Sequence, residues 1–184
     1  KELKILTSRP SVSDEREVKH YLYGFVPVKK TFSTGSWLSL TAKTIKLILK
    51  KNKIPILVGG TGLYFKALVD GLAKIPNITK FQRISVRKYH DKIGQKNFYK
   101  KLLKLDPKIK NLVFKNDTQR SIRAYEIKKY TKKSLYDWTK ETKPNFDPTY
   151  FRKFFINFPR DLLIKKIDSR INKMFKEGAI DEVQ

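Results

Sequence analysis

The segment IPILVGGTGLYFKALVDGL constrains the fold more than any other part of the sequence. It begins with a β-branched run at 54–58, which is typical of a strand buried on both faces of a parallel sheet. Gly59 and Gly60 lack a Cβ atom, so they can take positive φ and let a phosphate or a base lie against the main chain. From Gly62 onward, apolar residues recur at helical spacing. Thr61 is therefore predicted at the carboxyl end of a strand and the start of a helix, where open α/β sheets bind ligands.

The flanking patterns predict more of the same core. Hydroxyl side chains suited to N-caps precede an amphipathic pattern at 36–51, which has apolar residues on one face and lysines on the other. A helix that feeds the strand at 54–58 is half of a parallel βαβ unit. The run at 154–158 predicts a returning strand, and a helical pattern at 161–183 follows it. We therefore expect an α/β core with a parallel sheet.

The middle of the sequence has a different character. From about position 79, strand-like runs vanish and Lys-rich helical patterns take over, with candidate helices at 80–93, 95–105, 117–130 and 134–141. Gly94 separates the first two of these helices. The predicted division is an α/β core at 1–78, a helical insertion at 79–150 and a return to the core at 151–184.

Composition limits the partners and the compartment. The formal net charge of +25 suggests a polyanionic partner, although 33 of the 42 basic residues are scattered lysines, which a solvated surface also explains. The absence of cysteine excludes disulfides and thiolate metal sites and fits a reducing cytoplasm. No apolar run reaches the roughly 20 residues that span a bilayer. We expect a cytoplasmic protein without a membrane segment.

A second informative stretch is NDTQRSIRAYEIKKY. An Asn or Asp at its start is suited to cap a helix on which Gln119, Arg120 and Arg123 fall within an arc of about 100°. Guanidinium groups and an amide displayed together suit contacts to phosphates and base edges. The structural alternative is a solvated basic face in which Glu126 pairs with Arg123 at i,i+3 spacing.

These stretches carry a family resemblance. VGGTGLYFKALVDGL closely resembles a segment shared by tRNA dimethylallyltransferases, also called tRNA isopentenyltransferases. NDTQRSIRAYEIKKY resembles the family's Asn-Asp-x-x-Arg-x-x-Arg-Ala-x-Glu motif. FFINFPRDLLIKKIDSRINKMFKEGAIDEV is similar to its strand, Pro-Arg pair and long helix ending in Gly-x-x-x-Glu-Val. The resemblance implies a P-loop NTPase-like, nucleotide-binding parallel sheet with a helical insertion that holds tRNA.

The resemblance also implies an activity and a set of site residues. The family transfers a dimethylallyl group from dimethylallyl diphosphate to the exocyclic amine of the adenine just 3′ of the tRNA anticodon. The resemblance implies that Thr61 and Arg83 are catalytic and that Mg²⁺ takes part in the reaction. The structural alternative for Arg83 is one more surface cation. The implied main-chain approach is at Gly59, Gly60 and Gly62, and the implied tRNA contacts are Gln119, Arg120, Ser121, Ile122 and Arg123.

The sequence departs from the family in several places. It contains no G-x-x-x-x-G-K-[ST] P-loop and no Asp-Ser-x-Gln segment with the family's catalytic Asp, and no acidic residue precedes Arg83 at 79–82. We therefore expect a monomeric piece of a longer protein, truncated at both ends and inactive alone. Two alternatives stay open at this stage: a non-enzymatic basic RNA-binding protein, and an adenylate isopentenyltransferase that prenylates free adenine nucleotides.

Overall fold

The computed structural model describes residues 1–184 and divides into two compact units. The first unit comprises Lys1–Phe65 and Asp147–Gln184, and the second comprises Lys66–Phe146. All regular secondary structure is helical. The helices are α1 (Val12–Glu17), α2 (Thr34–Leu49), α3 (Gly62–Val69), α4 (Lys80–Leu105), α5 (Thr118–Thr131), α6 (Leu135–Lys140) and α7 (Arg160–Lys176), with short 3₁₀ turns at Pro107–Ile109 and Pro148–Tyr150.

The predicted parallel sheet is absent, so the assignment to the α/β class with a P-loop NTPase-like core is wrong for this structure. The runs at 54–58 and 154–158 have no regular secondary structure. The side chains of Ile54, Ile56 and Val58 are 86, 83 and 77% exposed. A β-branched run becomes a strand only when another strand pairs with its N–H and C=O groups. Neither run has such a partner among residues 1–184.

The first unit confirms the helix predicted at 36–51. It is α2, which begins two residues earlier because Ser33 caps it: the Ser33 hydroxyl accepts the backbone N–H of Ser36 at 3.1 Å. Leu38 and Ile45 are buried on its apolar face. The helix ends at Leu49, and Asn52 in the turn that follows has a left-handed φ of 53°. Capping and periodicity therefore fix this helix locally.

The second unit confirms the break predicted at Gly94. Helix α4 runs through 26 residues, but Gly94 has φ 73° and ψ 159°, which are not helical. Its first turn is fixed by a capping box in which Thr79 and Gln82 each accept the other's backbone N–H. Helix α4 therefore consists of two helical segments that meet in a kink at Gly94.

The core of the second unit lies between α4 and α5. One cluster consists of Val86, Phe98 and Ile122, with the Phe98 and Tyr125 rings 4.9 Å apart. A second cluster draws on the segment of α4 after Gly94 and consists of Leu102, Ile109, Val113 and Ala124. Burying a side chain of this size stabilises a fold by about 1.5–3 kcal/mol. Helix α5 is therefore held along both segments of α4, which determines which of its residues face solvent.

Candidate functional site

Thr61 immediately precedes α3 in the first unit. Its carbonyl accepts the backbone N–H of Tyr64 at 2.9 Å and that of Phe65 at 3.4 Å, as a residue at the start of a helix does. Its side chain is exposed, and its hydroxyl has no hydrogen-bond partner in the chain. The helix thus fixes the main chain of Thr61 and leaves the hydroxyl free for another group.

The glycines beside Thr61 are not required by the fold. Gly59, Gly60 and Gly62 all lie outside the positive-φ region, so the left-handed conformation that the sequence allowed is not used. A Cβ atom added at Gly60 or Gly62 would meet nothing within 4 Å, and at Gly59 it would only touch the Phe65 ring at 3.9 Å. Glycine costs conformational entropy without a local benefit here. The main chain at all three glycines is therefore open to an approaching group.

An aromatic pair holds the start of α3. The rings of Trp37 and Tyr64 stack with centroids 4.4 Å apart and planes at 15°. Trp37 lies in the first turn of α2 and Tyr64 in the first turn of α3, so the stack joins the starts of these two helices within the first unit. The sequence does not predict this contact, because no spacing rule connects positions 37 and 64.

Arg83 lies in the first turn of α4, in the second unit. Its Nε donates to the Ile78 carbonyl at 3.1 Å, and its side chain is exposed. Lys80 lies in the same turn, which has no acidic residue. Cations at a helix N-terminus oppose the helix dipole, so their charge does not stabilise α4. Arg83 and Lys80 thus concentrate positive charge at the start of α4.

Helix α5 presents the second constellation. Asp117 caps it, since Oδ1 accepts the backbone N–H of Arg120 at 2.9 Å and Oδ2 lies 3.4 Å from Arg120 Nε. Gln119 and Arg120 are exposed, with 66% of the Arg120 side chain accessible. Arg123 is 39% exposed and its Nη1 lies 3.2 Å from Oε2 of Glu126, whose side chain is only 4% exposed. The ion pair weighed as the structural alternative is therefore present, and it still leaves Arg123 partly at the surface.

Two of the five residues expected to contact tRNA face the interior. Ser121 is fully buried and Ile122 is 7% exposed. The Ser121 hydroxyl lies 3.1 Å from Nε2 of Gln95, which donates to it, and Ile122 packs against Val86 and Phe98. Their side chains therefore support α5 from beneath, and only Gln119, Arg120 and Arg123 reach the surface. Sequence reasoning missed Gln95, because a polar residue after a helix break carries no pattern of its own.

The structure contains no cluster of three metal-ligating side chains. No three His, Asp or Glu side chains among residues 1–184 lie close enough together to hold an ion, and the chain has no cysteine. Mg²⁺ is often held by one or two carboxylates together with substrate phosphates, so the Mg²⁺ implied by the resemblance stays a prediction.

None of the helices in residues 1–184 combines the length and the apolar character that crossing a bilayer demands.

Comparison with known proteins places the chain. The family model described as IPP transferase matches residues 1–184. The tRNA dimethylallyltransferase of Pelagibacter ubique is 56% identical over all 184 residues, which cover 59% of that protein. The structure of the tRNA isopentenylpyrophosphate transferase of Bacillus halodurans is 27% identical with a TM-score of 0.56, over 99% of this chain and 56% of that one.

A third likeness concerns the fold alone. A eukaryotic dimethylallyltransferase acting on tRNA has a TM-score of 0.77 at 23% identity, over 98% of this chain and 44% of that one. The chain thus spans about half to three fifths of the length of these relatives. On the family match over its whole length, the chain belongs to the IPP transferase family.

Proposed function

We propose that this chain is part of a tRNA dimethylallyltransferase. In the proposed reaction, the exocyclic nitrogen of the adenine 3′ to the anticodon bonds to C1 of the dimethylallyl group, the bond from C1 to the diphosphate oxygen breaks, and the amine loses a proton. The observation that carries this proposal is the exposed, unpartnered hydroxyl of Thr61, set among glycines that the fold does not require. The 56% identity to the Pelagibacter ubique tRNA dimethylallyltransferase supports it.

Thr61 and Arg83 have separate proposed roles. The Thr61 hydroxyl hydrogen-bonds the substrate at the reacting centre, which orients it for in-line displacement. Arg83 supplies positive charge towards the diphosphate, whose negative charge grows as the C–O bond breaks. The base that takes the amine proton is expected from the Asp-Ser-x-Gln segment, which is absent from these residues. We therefore propose that the 184 residues alone transfer no prenyl group.

The surface of α5 is the proposed contact with the tRNA anticodon stem-loop. Gln119, Arg120 and Arg123 combine planar guanidinium donors with an amide that both donates and accepts. The net charge of +25 favours the same partner. Binding of this kind weakens steeply as salt rises, because the RNA releases counterions on contact. We place the reaction in the cytoplasm and propose that the protein acts as a monomer.

A transfer assay tests the proposed function. The full-length protein that contains this chain is incubated with dimethylallyl diphosphate and either unmodified tRNA or free adenosine monophosphate, and the products are digested to nucleosides for mass spectrometry. The proposal predicts a prenylated adenosine from tRNA, located next to the anticodon by ribonuclease mapping. Prenylation of the free nucleotide alone, or of neither substrate, contradicts it.

A further inference from the structure

Phe114 is an exposed aromatic ring in the loop that leads into α5. Its side chain is 76% exposed, whereas the neighbouring Val113 is 2% exposed and belongs to the core. Transfer of an apolar ring of this size out of water is favourable. The loop nevertheless places Phe114 outside, next to the helix that carries Gln119 and Arg120.

The main chain around Phe114 is fixed at three successive carbonyl groups. The Tyr99 hydroxyl donates to the carbonyl of Val113 at 2.8 Å. The backbone N–H of Asp117 donates to the carbonyl of Phe114 at 3.0 Å. Nε2 of Gln95 donates to the carbonyl of Lys115 at 2.7 Å. The backbone that carries the ring is therefore held before any partner arrives, which lowers the entropic cost of ordering this loop on binding.

The residues that follow Phe114 in the sequence are polar, and one of them is cationic. Lys115 and Asn116 follow it and are exposed, and the turn that Phe114 closes brings in Asp117, which holds Arg120. An apolar protein partner would require a wider apolar patch than one ring. An unpaired nucleobase has a flat apolar face on an anionic backbone, so it matches an aromatic ring among cations.

We propose that Phe114 stacks on an unpaired base of the tRNA anticodon loop, and that Tyr99 and Gln95 are positioning residues that hold its loop. This inference rests on the tRNA-binding part of the proposed function. Stacking on a ring is tolerant of base identity, because every base has a π-face. Phe114 therefore adds affinity and orientation, while contacts to base edges add sequence preference.

The test uses the full-length protein and an anticodon stem-loop RNA that carries 2-aminopurine at each unpaired position in turn. Phe114→Leu keeps an apolar side chain and removes the aromatic face, whereas Phe114→Trp keeps an aromatic face. We expect the leucine variant to bind roughly 5-fold to 100-fold more weakly and to lose the quenching of one 2-aminopurine, and the tryptophan variant to keep both. Tyr136→Leu, at an exposed aromatic on α6, is the matched control and leaves binding unchanged.

Kinetics separate this role from a structural one. For Phe114→Leu, KM for tRNA rises with the affinity loss while KM for dimethylallyl diphosphate and the thermal unfolding midpoint stay unchanged. Wild-type affinity in Phe114→Leu overturns the proposal. A lowered unfolding midpoint also overturns it, because the ring then packs against protein. If the wild-type protein quenches 2-aminopurine and Phe114→Leu does not, but the wild type transfers no prenyl group, the proposed function is refuted and the stacking proposal is supported. If the wild type transfers the prenyl group and Phe114→Leu keeps an unaltered KM for tRNA, the proposed function is supported and the stacking proposal is refuted.

A second variant tests the positioning role of Tyr99. Tyr99→Phe removes only the hydroxyl that donates to the Val113 carbonyl. We expect a smaller rise in Kd than for Phe114→Leu, and no further rise when the two substitutions are combined. Equal and additive effects would show that Tyr99 acts independently of Phe114 and would overturn its assignment as a positioning residue.

Discussion

Glu182 and Ile5, 177 positions apart in the sequence, are joined by two hydrogen bonds: the backbone N–H of Ile5 lies 2.8 Å from Oε1 and 3.0 Å from Oε2 of the carboxylate. The backbone N–H groups of Lys4 and Leu6 donate to the same carboxylate. Three successive amides form a concavity suited to an anion. The first unit therefore uses its own Glu182 to tie its two sequence segments together.

This contact predicts a pH dependence of stability. Burial raises the pKa of Glu182, but the hydrogen bonds from the backbone of Leu6, Ile5 and Lys4 outweigh it, so the pKa lies below its ordinary value of 4.5. A lowered folded-state pKa means that the stabilisation is complete above about pH 4.5 and is lost as pH falls through the folded value. Glu182→Gln should lower the urea unfolding midpoint at neutral pH and flatten its decline in acid.

The control for that prediction is Glu177→Gln. It removes one negative charge near the same helix end, where Glu177 has only Lys173 as a partner at 3.7 Å. Exposed ion pairs of this kind contribute little to the stability of the fold. If Glu177→Gln lowers the midpoint as much as Glu182→Gln, net charge and not the amide contacts is responsible.

Gly71 is expected to be structurally essential, in contrast to Gly60. Gly71 has φ 92°, and a Cβ atom there would lie 2.8 Å from the carbonyl carbon of Lys143. Gly71→Ala should therefore cost about 1–3 kcal/mol of unfolding free energy. Gly60→Ala should change it by less than about 0.5 kcal/mol and instead reduce prenyl transfer. Urea unfolding and the transfer assay on both variants check this; a destabilised Gly60→Ala protein would contradict the account.

Alanine substitutions at Arg120 and at Arg123 should lower the free energy of unfolding by different amounts. Arg123→Ala leaves the buried carboxylate of Glu126 without its ion pair and should cost about 1–3 kcal/mol. Arg120→Ala removes a largely exposed side chain and should cost less than about 0.5 kcal/mol. Both variants should bind tRNA more weakly, as measured by filter binding at several salt concentrations. Equal stability losses would argue against the buried pair, and unaltered tRNA affinity in Arg120→Ala would argue against an RNA-contacting α5.

The stacked rings of Trp37 and Tyr64 should contribute to the free energy of unfolding in a coupled way. Unfolding free energies of Trp37→Leu, Tyr64→Leu and the double variant form a cycle whose interaction term should be about 0.5–1.5 kcal/mol. Because Tyr64 lies three residues after Thr61, the single variants should also slow prenyl transfer. Strictly additive stability losses would show that the rings contribute only their separate burial.

The helices were predictable because the signals that form them are local in the sequence. The sheet prediction was wrong because strand pairing is not local. Each helix cap binds a backbone N–H only a few residues away, as Ser33, Thr79 and Asp117 do. Gly94 interrupts α4 because its own φ is not helical. The strand assignments failed because strand formation depends on pairing with a distant segment, which a β-branched run does not specify. The domain roles assigned to 1–78, 79–150 and 151–184 stay a prediction.

The functional roles of the candidate site residues stay a prediction. Pattern and resemblance pointed to Thr61, Arg83 and the motif on α5, because each lies at a helix start with a recognisable local sequence. The side chains that hold these elements were not predictable, since Trp37 and Gln95 act across 27 and 26 positions respectively. Such contacts arise from tertiary packing and leave no periodic trace.

The central claim is that the Thr61 hydroxyl lies at the centre of prenyl transfer, and single-turnover transfer to tRNA by Thr61→Val and Thr61→Ser in the full-length protein tests it most directly. Valine is nearly isosteric and removes only the hydroxyl, whereas serine retains it. The account predicts a rate about 10²-fold lower for valine, at unchanged unfolding midpoint and tRNA affinity, and a serine rate near that of the wild type. A valine variant that transfers at the wild-type rate would contradict it.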